Sequence, residues 1–175
     1  LGFVGLLGSG KTLLMTIFAY LFSLDKTTVY TNYKTTFSKP VNPNDLLTFE
    51  LEECVLAYDE IETLIDSRVN SKSSRYISYF GLQSRKRHVF ILWTSQFSGM
   101  IDKRIRFISR WIFLCERSGI EENSKGENIT DFIFTLMYGG IPIREPLIMT
   151  YEDSKQFWEL YDTDEPIYPI EMLRG

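Results

Sequence analysis

Residues 1–4 form a short apolar run that enters a Gly-rich turn, and residues 11–24 are apolar on nearly every side. That succession predicts a buried strand, a loop, and a helix packed against a sheet. Residues 27–32 (Thr-Thr-Val-Tyr-Thr-Asn) are β-prone and predict a second strand. Residues 38–45, with Pro40 and Pro43, read as a loop in which Asn44 or Asp45 caps a short helical turn. Residues 53–59 run apolar and end in an acid, the pattern of a strand buried on both faces. A helix begins across 61–66, the Ser-, Asn- and Lys-rich stretch 68–75 reads as a surface loop, and 76–87 has the spacing of an amphipathic helix. Further strands are expected at 88–94 and 110–116, with a short basic helix at 102–108 between them. Residues 129–137 and 141–149 flank Tyr138-Gly-Gly140 and predict a hairpin; 152–161 reads as a last helix, and Pro166 and Pro169 mark a tail.

Strands alternating with helices define the expected class: α/β, with a mostly parallel sheet, helices on both sides and a C-terminal β-hairpin. Residues 1–175 are expected to form a single domain, since 175 residues at 44% hydrophobic content supply one sizeable core. Only four residues precede Gly5, so the first strand reads as cut short at its start. The two cysteines, Cys54 and Cys115, lie far apart without CxxC spacing, which fits reduced thiols and a cytoplasmic setting. One histidine, His88, excludes a His-rich metal site. The most apolar stretch, 13–24, is interrupted by Thr16, Tyr20 and Ser23 and is shorter than the roughly 18–20 residues of a membrane span. Net charge is −4, yet residues 66–110 hold ten Lys or Arg against two Asp. A basic middle in an acidic chain is what a localised phosphate-contacting or subunit-contacting face needs, although scattered solvated charge gives the same count.

The pattern GxxxxGK[ST] is met by Gly5, Gly10, Lys11 and Thr12, between a strand and an apolar helix. Backbone N–H groups of such a turn cradle phosphate oxygens, so Gly5, Gly8, Ser9, Gly10, Lys11, Thr12 and Leu13 are the expected nucleotide-binding set. Lys11 is placed to reach the outer phosphates, and Thr12 and Asp59 to hold Mg²⁺. Parallel strands deliver their C-terminal ends to the nucleotide crevice, which is where Asp59 stands; Glu60 beside it is suited to orienting and deprotonating the attacking water. An acidic cap on the next helix is the plainer reading of Glu60. Gln96, after the strand at 88–94, is a candidate for bonding the γ-phosphate and the water. Arg85, Arg87, Arg104, Arg106 and Arg110 are candidate arginine fingers, which stabilise a transferring phosphoryl group from a neighbouring subunit.

Together these segments resemble the zonular occludens toxin (Zot)-like ATPases of the HerA/FtsK group of additional-strand, RecA-like P-loop NTPases. The resemblance is carried by Gly5-Leu-Leu-Gly-Ser-Gly-Lys-Thr12, Val29-Tyr-Thr-Asn32, Asp59-Glu60 with Arg68 downstream, and Ser84-Arg-Lys-Arg-His88 leading into Ile91-Leu-Trp-Thr-Ser-Gln96. Ile101-Asp-Lys-Arg-Ile-Arg106 and Leu160-Tyr-Asp-Thr-Asp-Glu165 complete it. It implies ATP hydrolysis with Mg²⁺ that moves, packages or extrudes DNA, self-association into a ring such as a hexamer, Arg85 or Arg87 near the subunit interface, and Gln96 as polar sensor. Viral capsid or membrane assembly proteins are the partners it implies. Filamentous-phage members carry a membrane segment after the ATPase domain and none is present here, which points to a soluble viral or plasmid packaging ATPase in the cytoplasm. A P-loop kinase of a small molecule or nucleotide, and an assembly protein that binds ATP without hydrolysing it, are the alternatives; the Asp59-Glu60 pair and Gln96 count against the first, and Lys11, Glu60 and Gln96 against the second.

Overall fold

Five consecutive apolar side chains are all buried only in a strand covered on both faces, and Cys54–Tyr58 meets that condition. The structure, a computed structural model, describes residues 1–41, 51–63, 81, 83–96, 109–119, 121–122 and 128–162. Its strands are β1 Gly2–Val4, β2 Thr28–Thr31, β3 Lys39–Pro40, β4 Cys54–Tyr58, β5 Phe90–Ser95, β6 Trp111–Arg117, β7 Glu121–Glu122, β8 Asn128–Ile129, β9 Phe132–Tyr138, β10 Ile141–Pro142 and β11 Leu147–Met149. Helix α1 spans Lys11–Leu24 and α2 spans Tyr151–Lys155.

The main sheet runs β10-β9-β6-β1-β5-β4-β2-β3, with β11 also paired to β9. From β6 to β3 every pair is parallel. β9 then lies antiparallel on β6 from Trp111↔Tyr138 to Arg117↔Phe132. Its other edge takes β10 and β11, which makes the hairpin expected from the sequence.

Alternation along β4 splits the core in two. Val55 and Ala57 face Phe3, Leu14, Met15, Ala19 and Phe113, whereas Cys54, Leu56 and Tyr58 face Val41, Leu51, Ile61 and Trp93. On the first face Phe3 stacks on Phe113 with centroids 5.7 Å apart, and Phe18 of α1 meets Phe3 edge-on at 5.7 Å. Burying such rings is worth about 1.5–3 kcal/mol each, and here it fixes α1 over the carboxyl end of β1. Cys54 and Cys115 are buried and free. No helix among the described residues is long and apolar enough to cross a membrane.

Several expectations need correction. Within the segment read as a loop, Lys39–Pro40 pairs in parallel with β2, and Val41 N–H donates to Thr31 O at 2.8 Å. Pro40 is tolerated because β3 is an edge strand. Ile129 belongs to a two-stranded pair of β7 with β8, so the hairpin strand starts at Phe132. The last helix stops at Lys155: Thr150 caps its start by accepting from Asp153 N–H at 3.1 Å, and Gln156 Nε2 closes its end on Asp153 O at 2.8 Å. Trp158–Leu160 forms a 3-10 turn and Tyr161 turns extended, because this segment bonds instead to residues 34–36. Ile61–Thr63 is a single 3-10 turn, and Ser84–Arg87 is a 3-10 turn that ends the expected helix at 76–87. Most of that helix, the turn at Asn44 or Asp45, the loop 68–75, the basic helix 102–108 and the Pro166–Pro169 tail lie outside the described residues.

Candidate functional site

The loop between β1 and α1 takes its path from its glycines. A Cβ on Gly5 would stand 2.1 Å from the backbone oxygen of Cys115 in β6, so β1 and β6 close up here only around a hydrogen. Gly10 is the N-cap of α1 at φ +81°, a left-handed conformation that side chains disfavour. No side chain caps α1 and no acid occupies its first turn. The first N–H groups of a helix find no partner within it, so α1 presents donors and the positive end of its dipole to the loop. Ser9 Oγ, buried beside them, makes no hydrogen bond. An anion with several oxygens satisfies both conditions at once. Gly5→Ala is expected to cost about 1–3 kcal/mol of stability through overpacking against β6. Thermal melting checks this, and an unchanged midpoint would mean that the two strands can part at no cost.

Three parallel strands end on the other side of the loop. Asp59 follows β4 and is 8% exposed. Its carboxylate accepts from Thr12 Oγ1 at 3.0 and 3.1 Å and from Thr94 Oγ1 at the end of β5. Its peptide is held from both sides by Asn32, just past β2: Asp59 N–H donates to Asn32 Oδ1 at 2.7 Å, and Asn32 Nδ2 donates to Asp59 O at 2.9 Å. Glu60 follows at φ +50°, its N–H donating to Thr94 Oγ1 at 2.8 Å. One hydroxyl thus ties the two neighbouring acids together.

Lys11 is only 7% exposed, and its Nζ donates to Leu6 O at 2.8 Å. Burial pulls its pKa down from the ordinary lysine value, and the negative charge of Asp59, then of Cys115, Glu60 and Glu62, holds it up. For Asp59 burial dominates and raises the carboxyl; the Thr94 and Thr12 hydroxyls lower it, Glu60 raises it and Lys11 lowers it. A buried carboxylate in this state gains from any cation brought next to it.

Thr12 Oγ1 and Asp59 together form a hard oxygen-donor pair. Among the described residues no group of three His, Cys, Asp or Glu could hold a metal by itself. That set fits Mg²⁺, which is commonly held by one or two protein oxygens together with substrate phosphates and water.

Gly8, Ser9, Gly10, Lys11, Thr12, Leu13, Asp59 and Glu60 all line one cleft of about 530 Å³, within the usual range for a bound small molecule. Gly5 sits behind it, against β6. Gln96 comes just after β5, its N–H donating to Glu62 Oε1 at 3.2 Å, and does not line the cleft. Arg85 and Arg87 precede β5, at the opposite end of that strand from the cleft, and Arg87 stands 3.8 Å from Glu52. A six-residue strand is about 20 Å long, so neither arginine reaches the cleft of its own chain. Arg110, before β6, approaches Tyr138 Oη at 3.4 Å, whereas Arg104 and Arg106 lie outside the described residues.

No motif gives Thr94 a chemical role, Asn32 enters only within the Val29-Tyr-Thr-Asn32 segment, and nothing in the sequence pattern announces the aromatic wall of Tyr33, Phe132, Trp158 and Tyr161 on the same cleft. Thr94 did carry a signal: a polar side chain at the carboxyl end of an otherwise apolar parallel strand is costly to bury without a partner. Trp158 carried none, because nothing local brings the C-terminal segment to the loop.

A mixed, mostly parallel sheet flanked by helices, with a glycine loop leading from the first strand into α1, is the P-loop NTPase fold, of class α/β. No family model and no curated protein matches the chain. Among solved structures, the N-terminal domain of zonular occludens toxin from Neisseria meningitidis aligns at TM-score 0.57 and 16% identity, covering 92% of this chain and 97% of that one. The flagellar accessory protein FlaH from Methanocaldococcus jannaschii aligns at TM-score 0.55 and 17% identity over 85% of this chain and 83% of its own. The genome packaging NTPase B204 from Sulfolobus turreted icosahedral virus 2, in complex with ATP-gammaS, aligns at 0.53 and 9% over 85% and 95%. At these identities the likeness is one of fold.

Proposed function

We propose that this chain is an ATP-hydrolysing motor of the Zot-like HerA/FtsK type, a single ATPase domain over residues 1–175, of viral or plasmid origin and acting on DNA in the cytoplasm. The observation that carries the reading is the joining of Thr12, Asp59, Thr94 and Glu60 by hydrogen bonds on one wall of the cleft that Lys11 and the loop amides share. A triphosphate lies along the loop amides with Lys11 on its outer oxygens. Mg²⁺, bound through Thr12 and Asp59, supplies charge neutralisation. Glu60 orients the attacking water and takes its proton, and Gln96 senses the terminal phosphate from the end of the neighbouring strand.

In a ring such as a hexamer, Arg85 or Arg87 serves the cleft of the adjacent subunit, which is consistent with their distance from their own. The basic middle then meets DNA phosphates or the next subunit, and capsid or membrane assembly proteins are the partners of the ring. One structural neighbour, B204, is a genome packaging NTPase, which supports this reading.

The deciding assay is ATP turnover with and without duplex DNA over a range of protein and salt concentrations. Duplex is expected to raise the rate, turnover per chain to rise with protein concentration, and DNA binding to weaken steeply with salt. Replacing Arg85 and Arg87 together by Ala should remove the concentration-dependent part. Turnover indifferent to DNA, with no salt-dependent binding, would leave an ATPase that is not a DNA motor.

A further inference from the structure

We propose that Trp158, with Phe132, forms the seat for the base of the nucleotide, delivered by a C-terminal strap that lines the phosphate-loop cleft. The inference rests on the nucleotide reading of that cleft and adds which residues grip the nucleoside end.

The strap runs from Thr150 to Asp162 and is tied at both ends. At its start Tyr151 N–H donates to Asp131 Oδ1 at 3.0 Å, next to Phe132 at the head of β9. At its finish Thr36 N–H donates to Leu160 O at 3.0 Å, Asp162 N–H donates to Lys34 O at 3.2 Å, and Thr35 bridges to Tyr161. Tyr161 also meets Tyr33 edge-on, with centroids 6.4 Å apart. Tyr161 and Asp162 line the cleft together with Asp59 and Glu60, and burial, with the charge of Asp59 adding to the rise, pushes the Tyr161 hydroxyl up to about 12.

Trp158 then remains for a flat ligand, with Phe132 beside it, its ring parallel to that of Phe134 at 6.2 Å. The Phe132 ring packs so closely on the loop that a Cβ on Gly10 would lie 2.6 Å from Cδ1. Trp158 leans on Tyr151 at 5.3 Å and 74°, lines the cleft, and yet stays 39% exposed. An indole kept partly bare in the wall of a cleft that also holds Lys11, Asp59 and Glu60, on a segment pinned at both ends, is poor core packing and a good stacking surface. Triphosphate oxygens need amides and an ammonium; the part of a nucleotide that needs an aromatic face is its base.

The test compares Mg²⁺ complexes of ATP and inorganic tripolyphosphate in direct binding titrations, with no turnover measured. Wild type is expected to bind ATP more tightly than tripolyphosphate. Trp158→Ala should weaken ATP about 5- to 150-fold, the range for loss of one base stack, leave tripolyphosphate unchanged, and be restored in large part by Trp158→Phe. Unchanged ATP affinity in Trp158→Ala, or equal weakening of both ligands, would overturn the base seat while the phosphate loop stands. Wild type that binds neither ligand would instead overturn the nucleotide reading beneath it. Tryptophan emission gives a measurement free of any variant, because Trp93 is fully buried and Trp111 begins β6 at the opposite end of the sheet from the cleft. ATP should change the emission and tripolyphosphate should not; the same response to both overturns the proposal even if Trp158→Ala fails to fold.

Discussion

Glu60→Gln is expected to bind Mg·ATP with wild-type affinity and to hydrolyse it about 10²- to 10⁴-fold more slowly, the usual contribution of a positioned general base. Glutamine keeps the length and packing of the side chain and removes only its capacity to take a proton. The backbone explains why this position and not its neighbour does the work. Glu60 is an L-residue at φ +50°, a conformation that costs of order 1 kcal/mol or more and persists only when its surroundings fix it. They do so here: Thr94 Oγ1 accepts the Glu60 N–H, and Asn32 clamps the preceding peptide from both sides. The chain therefore turns sharply between the two acids, giving Asp59 to Thr12 and leaving Glu60 to face the cleft. Single-turnover hydrolysis beside equilibrium binding is the measurement; wild-type turnover in Glu60→Gln would reduce this residue to a helix-end acid.

Lys11→Ala is expected to remove binding itself, with affinity for Mg·ATP falling about 100-fold or more. One charge-assisted hydrogen bond is worth about 1.5–3 kcal/mol, and a lysine ammonium can make several. A second loss adds to the first. Lys11 is the cation that offsets Asp59 in this cleft, so without it a triphosphate approaches three carboxylates, Asp59, Glu60 and Asp162, with no opposing side-chain charge among the residues that line it. The mature loop conformation also loses the Nζ contact to Leu6 O. Isothermal titration on protein checked by melting separates the two effects, since a fold defect lowers the midpoint and a lost phosphate contact does not. Binding within a few-fold of wild type would mean that the loop does not hold the outer phosphates.

Local order in the sequence settled a good deal of this. The glycine spacing and the apolar run after it place a phosphate loop and set α1 at Lys11–Leu24, because a helix start and a Gly-rich turn are decided by residues a few positions apart. The unbroken apolar run before Asp59 determined a strand buried on both faces, and the Tyr138-Gly-Gly turn determined the hairpin. Tertiary structure alone decided what those pieces meet. Asn32 and Thr94 reach Asp59 from 27 and 35 residues away, through the order of parallel strands and not through any nearby signal. That same order sends Arg85 and Arg87 to the far end of β5 and Glu60 to the near end of the cleft. The expected last helix gave way to a strap because backbone groups at 160–162 found partners beside β2, a choice that depends on distance in space and leaves no trace in periodicity.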